Sequence, residues 1–150
     1  MKIQIIGLGS PILKDDGIGV HVINELMKED CPPFVSLTIG GTGGASLLDM
    51  IESCDCLIIV DAIQTGSPPG TIFELSLDDI KSTIPLHCGF IHGIDFFSSI
   101  YLHKEMLRNI PQQIIIFAVE ALDIHSFSET CSSQIEEAIP EIIKKIKLYF

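Results

Sequence analysis

Basic residues are scarce in this chain: 9 Lys and Arg stand against 20 Asp and Glu in 150 residues, for a net charge of −11. Nucleic-acid phosphates demand clusters of Lys and Arg, so that whole class of partner is excluded, and anionic membrane surfaces are disfavoured. Long apolar runs are missing too. The longest, Cys56 to Val60 and Ile114 to Val119, fall far short of the roughly 20 residues that span a bilayer and read as buried strands. No signal segment precedes the first strand, which starts almost at Met1, and the expected location is cytoplasmic, with no membrane partner. The five cysteines are odd in number, scattered and without zinc-ribbon spacing, which points to reduced, structural thiols. Cys54-Asp55-Cys56 is the one close pair, and strand alternation is expected to turn both thiols to one face. Cys88, near two histidines, is the exception that could be reactive.

What the chain does have is apolar bulk. With 47% hydrophobic and 19% charged residues, it can bury a substantial core as a single domain over residues 1–150, and it carries no internal repeat or low-complexity linker. Ile3, Ile5, Ile6 and Leu8 form a first strand, and a periodic segment from Gly19 to Met27 reads as a helix. Val35 to Ile39 is a second strand, Ala45 to Ser53 a short helix, and Cys56 to Val60 a third strand that Asp61 closes. Gly66 to Gly70 turns into Thr71 to Leu75, an edge strand because the connection is too short for a crossover helix. A helix from Ile94 to Leu107, a strand from Ile114 to Val119 and a helix from Ser132 to Leu148 follow. The alternation predicts an α/β fold, a three-layer α/β/α sandwich around a mostly parallel, twisted sheet of about five strands.

The most informative segment is Gly7-Leu8-Gly9-Ser10-Pro11-Ile12-Leu13-Lys14-Asp15-Asp16-Gly17-Ile18-Gly19. A dinucleotide fingerprint would need a glycine where Ile12 stands, and a phosphate loop would end in Gly-Lys-Ser/Thr. Two carboxylates at this turn suit a cation. One of them could equally cap the helix and complement its dipole.

Ligand crevices of such sheets lie beyond the carboxyl ends of the strands. Asp15 and Asp16 follow the first strand, Asp61 closes the third and Glu120 follows the last, so neighbouring strands would make these acids converge. His87 and His92 precede the next helix, and an imidazole with two carboxylates is a plausible open site for a first-row divalent ion. Against this, Asp61 at a strand end could be a turn former. His21, His103 and His125 read as surface or packing residues, and Asp78 and Asp79 as the start of a turn or short helix. Glu136, Glu137 and Glu141 with Lys144, Lys145 and Lys147 form a solvated helix face. No nucleophile-elbow serine and no HExxH helix occurs, and nothing supplies an oxyanion arrangement for Cys88.

Gly7-x-Gly9-x5-Asp15-Asp16-Gly17-x-Gly19, Gly41-Thr42-Gly43-Gly44 before Leu47-Leu48, Ile58-Ile59-Val60-Asp61-Ala62 with Pro69-Gly70-Thr71, and then His92 resemble the hydrogenase maturation endopeptidases. The resemblance runs in order through nearly the whole chain. It implies an endopeptidase that removes a C-terminal extension from the precursor of a nickel-iron hydrogenase large subunit after nickel insertion, its partner being that precursor. It implies further that Asp16, Asp61 and His92 are the metal-contacting, catalytic residues, His92 being preferred to His87 for its distance from the following helix. The metal would be nickel supplied by the precursor, with other divalent ions able to occupy the site. Two departures from the pattern are Ser10, where asparagine is usual, and Ala118, where glycine is common, which weakens any role for Glu120. The alternative is a non-enzymatic nickel-binding or chaperone module for the same precursor. Asp16 and Asp61 are expected at loop mouths outside the core, so that changing either to asparagine spares the fold.

Overall fold

The computed structural model describes residues 1–42, 45–83, 93–105 and 109–150. Five strands form one sheet in the order β2-β1-β3-β5-β4. They are β1 (Ile3–Leu8), β2 (Val35–Gly41), β3 (Cys56–Ile63), β4 (Ile72–Ser76) and β5 (Gln113–Glu120). β1 is parallel to β2 and β3, and β3 is parallel to β5, whereas β4 runs antiparallel to β5 at the edge. This is the expected sheet, and the short β3–β4 connection explains the reversed edge strand. Every residue of β1 and β3 is buried, while edge strands β2 and β4 are mostly half-buried, as position in a covered sheet dictates.

The helices are α1 (Ile18–Leu26), α2 (Leu77–Thr83), α3 (Gly93–Glu105) and α4 (Ser133–Ile146), with short 3-10 turns at Lys14–Gly17, Ala45–Met50 and Lys147–Tyr149. On α1, Ile18, Val22, Ile23 and Leu26 repeat at helical spacing and are fully buried. They join Ile135, Ile142 and Ile146 of α4 against one face of the sheet, formed by Ile5, Ile58, Val60 and Phe117. The other face, with Ile6, Ile59 and Ile116, packs against Leu47, Leu77, Phe97 and Ile100. Each fully buried isoleucine contributes roughly 1.5–3 kcal/mol relative to exposure, so the two cores fix the layers.

One buried polar side chain ties the layers at a sheet edge. Gln4 is fully buried, donates through Nε2 to Thr38 Oγ1 (3.1 Å) and Met50 O (2.8 Å), and accepts from the Glu52 amide (2.8 Å). These hydrogen bonds offset the cost of burying the amide.

Two local expectations change. β3 does not stop at Val60: β5 continues beside it, pairing Asp61 with Ala118, Ala62 with Val119 and Ile63 with Glu120. Asp61 therefore lies within the strand. The Cys54 and Cys56 thiols also part company, because β3 begins only at Cys56, which packs in the α1/α4 core while Cys54 packs against the other. The expected short helix at Asp78 and Asp79 is α2.

Candidate active site at the carboxyl edge of the sheet

Asp16 comes to the sheet because glycines remove the side chains that would hold it away. Gly9 adopts φ +114°, and a Cβ there would lie 1.8 Å from the Asp16 carbonyl oxygen. Gly19, at the start of α1, backs onto two strands at once: a Cβ on it would stand 2.4 Å from both Leu8 O and Val60 O. Any larger residue would push α1 off the strand ends. The 3-10 turn with Asp15 and Asp16 consequently packs against β3, one residue from whose Val60 stands Asp61. The turn that carries Asp16 and the strand end that carries Asp61 are thus neighbouring elements, beyond the point where β1 pairing to β3 ends at Gly7 and Val60.

Both acids are buried, Asp16 at 1% and Asp61 at 0% exposure. The expectation that they sit at loop mouths outside the core does not hold, since β5 covers Asp61 and the Ser10 loop folds over Asp16. The Ser10 amide donates to Asp16 Oδ2 (2.9 Å), and the Ala62 amide donates to Asp61 Oδ1 (2.8 Å). Hydrogen bonds from amides engage one oxygen of each carboxylate and fix its rotamer.

The other two acids of the expected cluster are committed elsewhere. Asp15 Oδ2 accepts from the amides of Leu122 (3.0 Å) and Asp123 (2.8 Å) and from Ser132 Oγ (2.9 Å), while Oδ1 accepts from the Ser132 amide (2.6 Å). It caps no turn of α1. Instead it pins the acidic turn to the β5–α4 loop and to the residue before α4. Glu120 takes the amides of Thr65 (2.8 Å) and Gly66 (2.8 Å) on Oε1 and the Thr65 hydroxyl (2.9 Å) on Oε2, which closes the β3–β4 loop. Among the described residues, no three His, Cys, Asp or Glu side chains gather as a metal-holding group. Asp15 and Glu120 thereby leave the expected convergence of four carboxylates, each serving as a loop clamp. The sequence offered one cue to the rest, the doubled Asp15-Asp16, but nothing local to Asp15 announces a partner as distant as Ser132.

His92, His87 and Cys88 lie outside the described residues. The helix that follows His92 is informative nonetheless. Lys104, near the end of α3, lines a cavity of about 490 Å³ with Ser76, Leu77, Gln113 and Ile114 at the amino edge of β5. A helix of 13 residues is about 20 Å long, so α3 starts toward the carboxyl edge. It covers the face on which Asp61 projects, since Ala118, its partner in register, belongs to that core.

The remaining candidates take the bland roles expected of them. His103 Nδ1 lies 2.8 Å from Ser99 O within α3, His125 is exposed and His21 half-buried. Glu136, Glu137, Glu141, Lys144 and Lys147 are exposed, with Lys145 half-buried. Burial pushes the Cys131 thiol up to about 12 and Cys56 to about 11, so both are protonated, packing thiols.

The family is legible from comparison with known proteins. The hydrogenase expression/formation protein HupD of Thiocapsa roseopersicina is 27% identical over 144 residues, covering 95% of this chain. The chain spans just 65% of the length of that relative. The hydrogenase 2 maturation protease of Escherichia coli is 27% identical over 157 residues, covering 98% of this chain and 92% of that one. In three dimensions the chain resembles the hydrogenase maturating endopeptidase HybD from E. coli, with a TM-score of 0.81 at 23% identity over 97% of this chain and 90% of that one. The [NiFe] hydrogenase maturation protease HybD from Thermococcus kodakarensis gives 0.80 at 17% identity over 99% of both chains. A shared fold is what these two likenesses establish. The family model described as hydrogenase maturation protease matches residues 20–147, a span that holds Asp61 and His92 and starts just after the acidic turn, and the chain belongs to that family.

Proposed function

We propose that the chain is an endopeptidase that removes the C-terminal extension of a nickel-iron hydrogenase large-subunit precursor once nickel has been inserted. Family membership supports the reaction class. The observation that supports the site is the packing of Gly19 on Leu8 O and Val60 O, which brings the acidic turn to the end of β3 at the carboxyl edge, where ligands of parallel sheets bind. In this reading the metal is part of the substrate. Nickel held by the precursor's thiolates meets Asp16, Asp61 and, as third ligand, His92. Oxygen and imidazole donors suit such an ion, and three protein ligands leave positions open.

Asp16 and Asp61 have the properties this role needs. Each carboxylate is held in one rotamer by a backbone amide, so its ligating oxygen is placed before substrate arrives and little ordering is lost on binding. Burial excludes competing water. A carboxylate that contacts the ion through one oxygen can accept a proton from water through the other, as a general base beside the scissile bond. Without nickel the precursor lacks the group these side chains bind, and the differential affinity needed for cleavage disappears.

Incubation of nickel-loaded and nickel-free precursor with the protein tests this reading. Release of the tail peptide from the loaded form alone is expected. Capture of the loaded precursor with no released peptide would point instead to a chaperone.

A further inference from the structure

The turn that carries Asp16 shows three departures from what local stability alone favours. Lys14 has a φ of +49°, the one positive value at a non-glycine among the described residues. L side chains rarely adopt that left-handed conformation, and it persists where surrounding contacts impose it. Asp15, the next residue, is an acid with no exposure, both of its carboxylate oxygens engaged by donors. Ser132 stands at the N-cap of α4, yet its side chain makes no capping bond to that helix; its Oγ donates to Asp15 Oδ2 (2.9 Å). An N-cap serine ordinarily accepts from the second or third amide of its own helix, so here the hydroxyl has left its helix for the turn.

The partners of Lys14 and Asp15 come from one stretch of chain, the link between β5 and α4. The Lys14 amide donates to Ser128 O (3.0 Å) and the Asp15 amide to Asp123 O (3.0 Å), while Cys131 Sγ donates to Lys14 O (3.6 Å). Ser132 ends that link, and Ile135, three residues on, is fully buried in the core beneath α4. A packed helix therefore sets where the turn sits. Asp15 and Asp16 are consecutive in the 3-10 turn Lys14–Gly17, so a shift of one passes to the other through a single planar peptide. The Ser10 amide that holds the Asp16 carboxylate (2.9 Å) belongs to the same loop; it fixes the rotamer and not the place of the turn in the molecule.

We propose that Asp15 and Ser132 are positioning residues for cleavage: the Ser132 hydroxyl and amide lock the Asp15 carboxylate to the start of α4, and this lock holds the strained turn so that Asp16 meets the nickel of the precursor. It rests on the peptidase reading, in which Asp16 contacts that ion. Neither Asp15 nor Ser132 touches substrate; both act through Asp16. A displacement of about 1 Å at a reacting centre can cost about a hundredfold in rate, so a small rotation of the turn is visible in the kinetics.

Steady-state cleavage of nickel-loaded precursor by wild type, Ser132→Ala, Ser132→Thr, Asp15→Asn and the control Ser133→Ala provides the test. Ser133 is exposed at the same helix end, its hydroxyl meeting Gln134 Oε1 (3.2 Å). Ser132→Ala removes the hydroxyl and keeps the amide bond to Asp15 Oδ1 (2.6 Å). Asp15→Asn breaks the lock by other chemistry: with its carbonyl kept for Leu122 and Asp123, its amide group turns a donor toward the Ser132 N–H. Both are expected to lose about tenfold or more in kcat/KM, carried by KM because the ion is met on binding, at temperatures where each is folded. A merely structural role lowers the thermal midpoint and leaves the constants of the folded enzyme unchanged. Ser132→Thr restores the hydroxyl and should recover most of the loss, and Ser133→Ala should match wild type. Titration of the same precursor onto each protein separates the two ideas. If wild type binds precursor and releases no peptide, and Ser132→Ala binds more weakly than Ser133→Ala, the lock stands and the peptidase reading falls. Wild-type KM and affinity in folded Ser132→Ala and Asp15→Asn overturn the proposal, as does an equal loss in Ser133→Ala.

Discussion

Gly19 and Val60 touch backbone to backbone: a methyl group on the Gly19 α-carbon would stand 2.4 Å from the Val60 carbonyl oxygen. Neither partner can give way, since one is a strand held on both sides and the other a helix whose apolar stripe is buried. Gly19→Ala is expected to destabilise the fold by about 1–3 kcal/mol, the range of overpacked cores, and to displace the acidic turn from the end of β3. Urea unfolding reads the first effect and loss of precursor processing the second.

Asp15 and Asp16 are adjacent, yet their substitutions should part cleanly. Asp15 takes four hydrogen bonds from three residues in a site with 0% exposure, so Asp15→Ala leaves several buried donors unsatisfied. Each such donor costs about 1–3 kcal/mol, and a drop of at least 3 kcal/mol in unfolding free energy is expected. Asp16→Asn keeps a carbonyl oxygen for the Ser10 amide. It should fold within about 1 kcal/mol of wild type and still fail to process precursor. A stable, fully active Asp16→Asn would remove that residue from the site.

Glu120 organises the β3–β4 loop. Glu120→Gln loses the charge that gathers the amides of Thr65 and Gly66, and hydrogen exchange at those two amides should accelerate by about tenfold or more, the ratio set by losing about 1.4 kcal/mol of charge-assisted bonding. The sheet amides should be unaffected. Equal protection at Thr65 and Gly66 would place the restraint elsewhere in the loop.

Alkaline pH should loosen the protein in a predictable window. Cys131 and Cys56 are raised by burial to about 12 and 11 from 9.0, and Tyr149 to about 12 from 10.0, by burial and then its hydrogen bond to Glu74. The folded state holds these protons more tightly than the unfolded chain, so the stabilisation is complete below pH 9 and is lost as pH rises toward 12. Urea midpoints in reducing buffer should fall from pH 9 upward, and Cys131→Ala should flatten that fall. Iodoacetamide should label Cys131 and Cys56 only on unfolding.

The architecture could be read from the chain because its signals are local. Apolar runs such as Cys56 to Val60 mark covered strands, and the short Gly66–Gly70 connection marks an antiparallel edge. Asp16 and Asp61 stand out in the sequence by local signals too, one in a glycine-punctuated turn and the other directly after an apolar run. The length of β3 was not, since Asp61, Ala62 and Ile63 stay in the sheet through register with Ala118, Val119 and Glu120, a pairing no local pattern contains. The roles of Asp15 and Glu120 were hidden likewise: their donors stand 107 and more, and 54 and more, positions away.

In the proposed function, Asp16, Asp61 and His92 read the nickel of the precursor as the licence to cut. Mass spectrometry of nickel-loaded and nickel-free precursor after incubation with wild type and Asp61→Asn measures it directly. A shortened large subunit and a free C-terminal peptide are expected in one sample, loaded precursor with wild type. Equal cleavage of nickel-free precursor, or undiminished cleavage by Asp61→Asn, would contradict it.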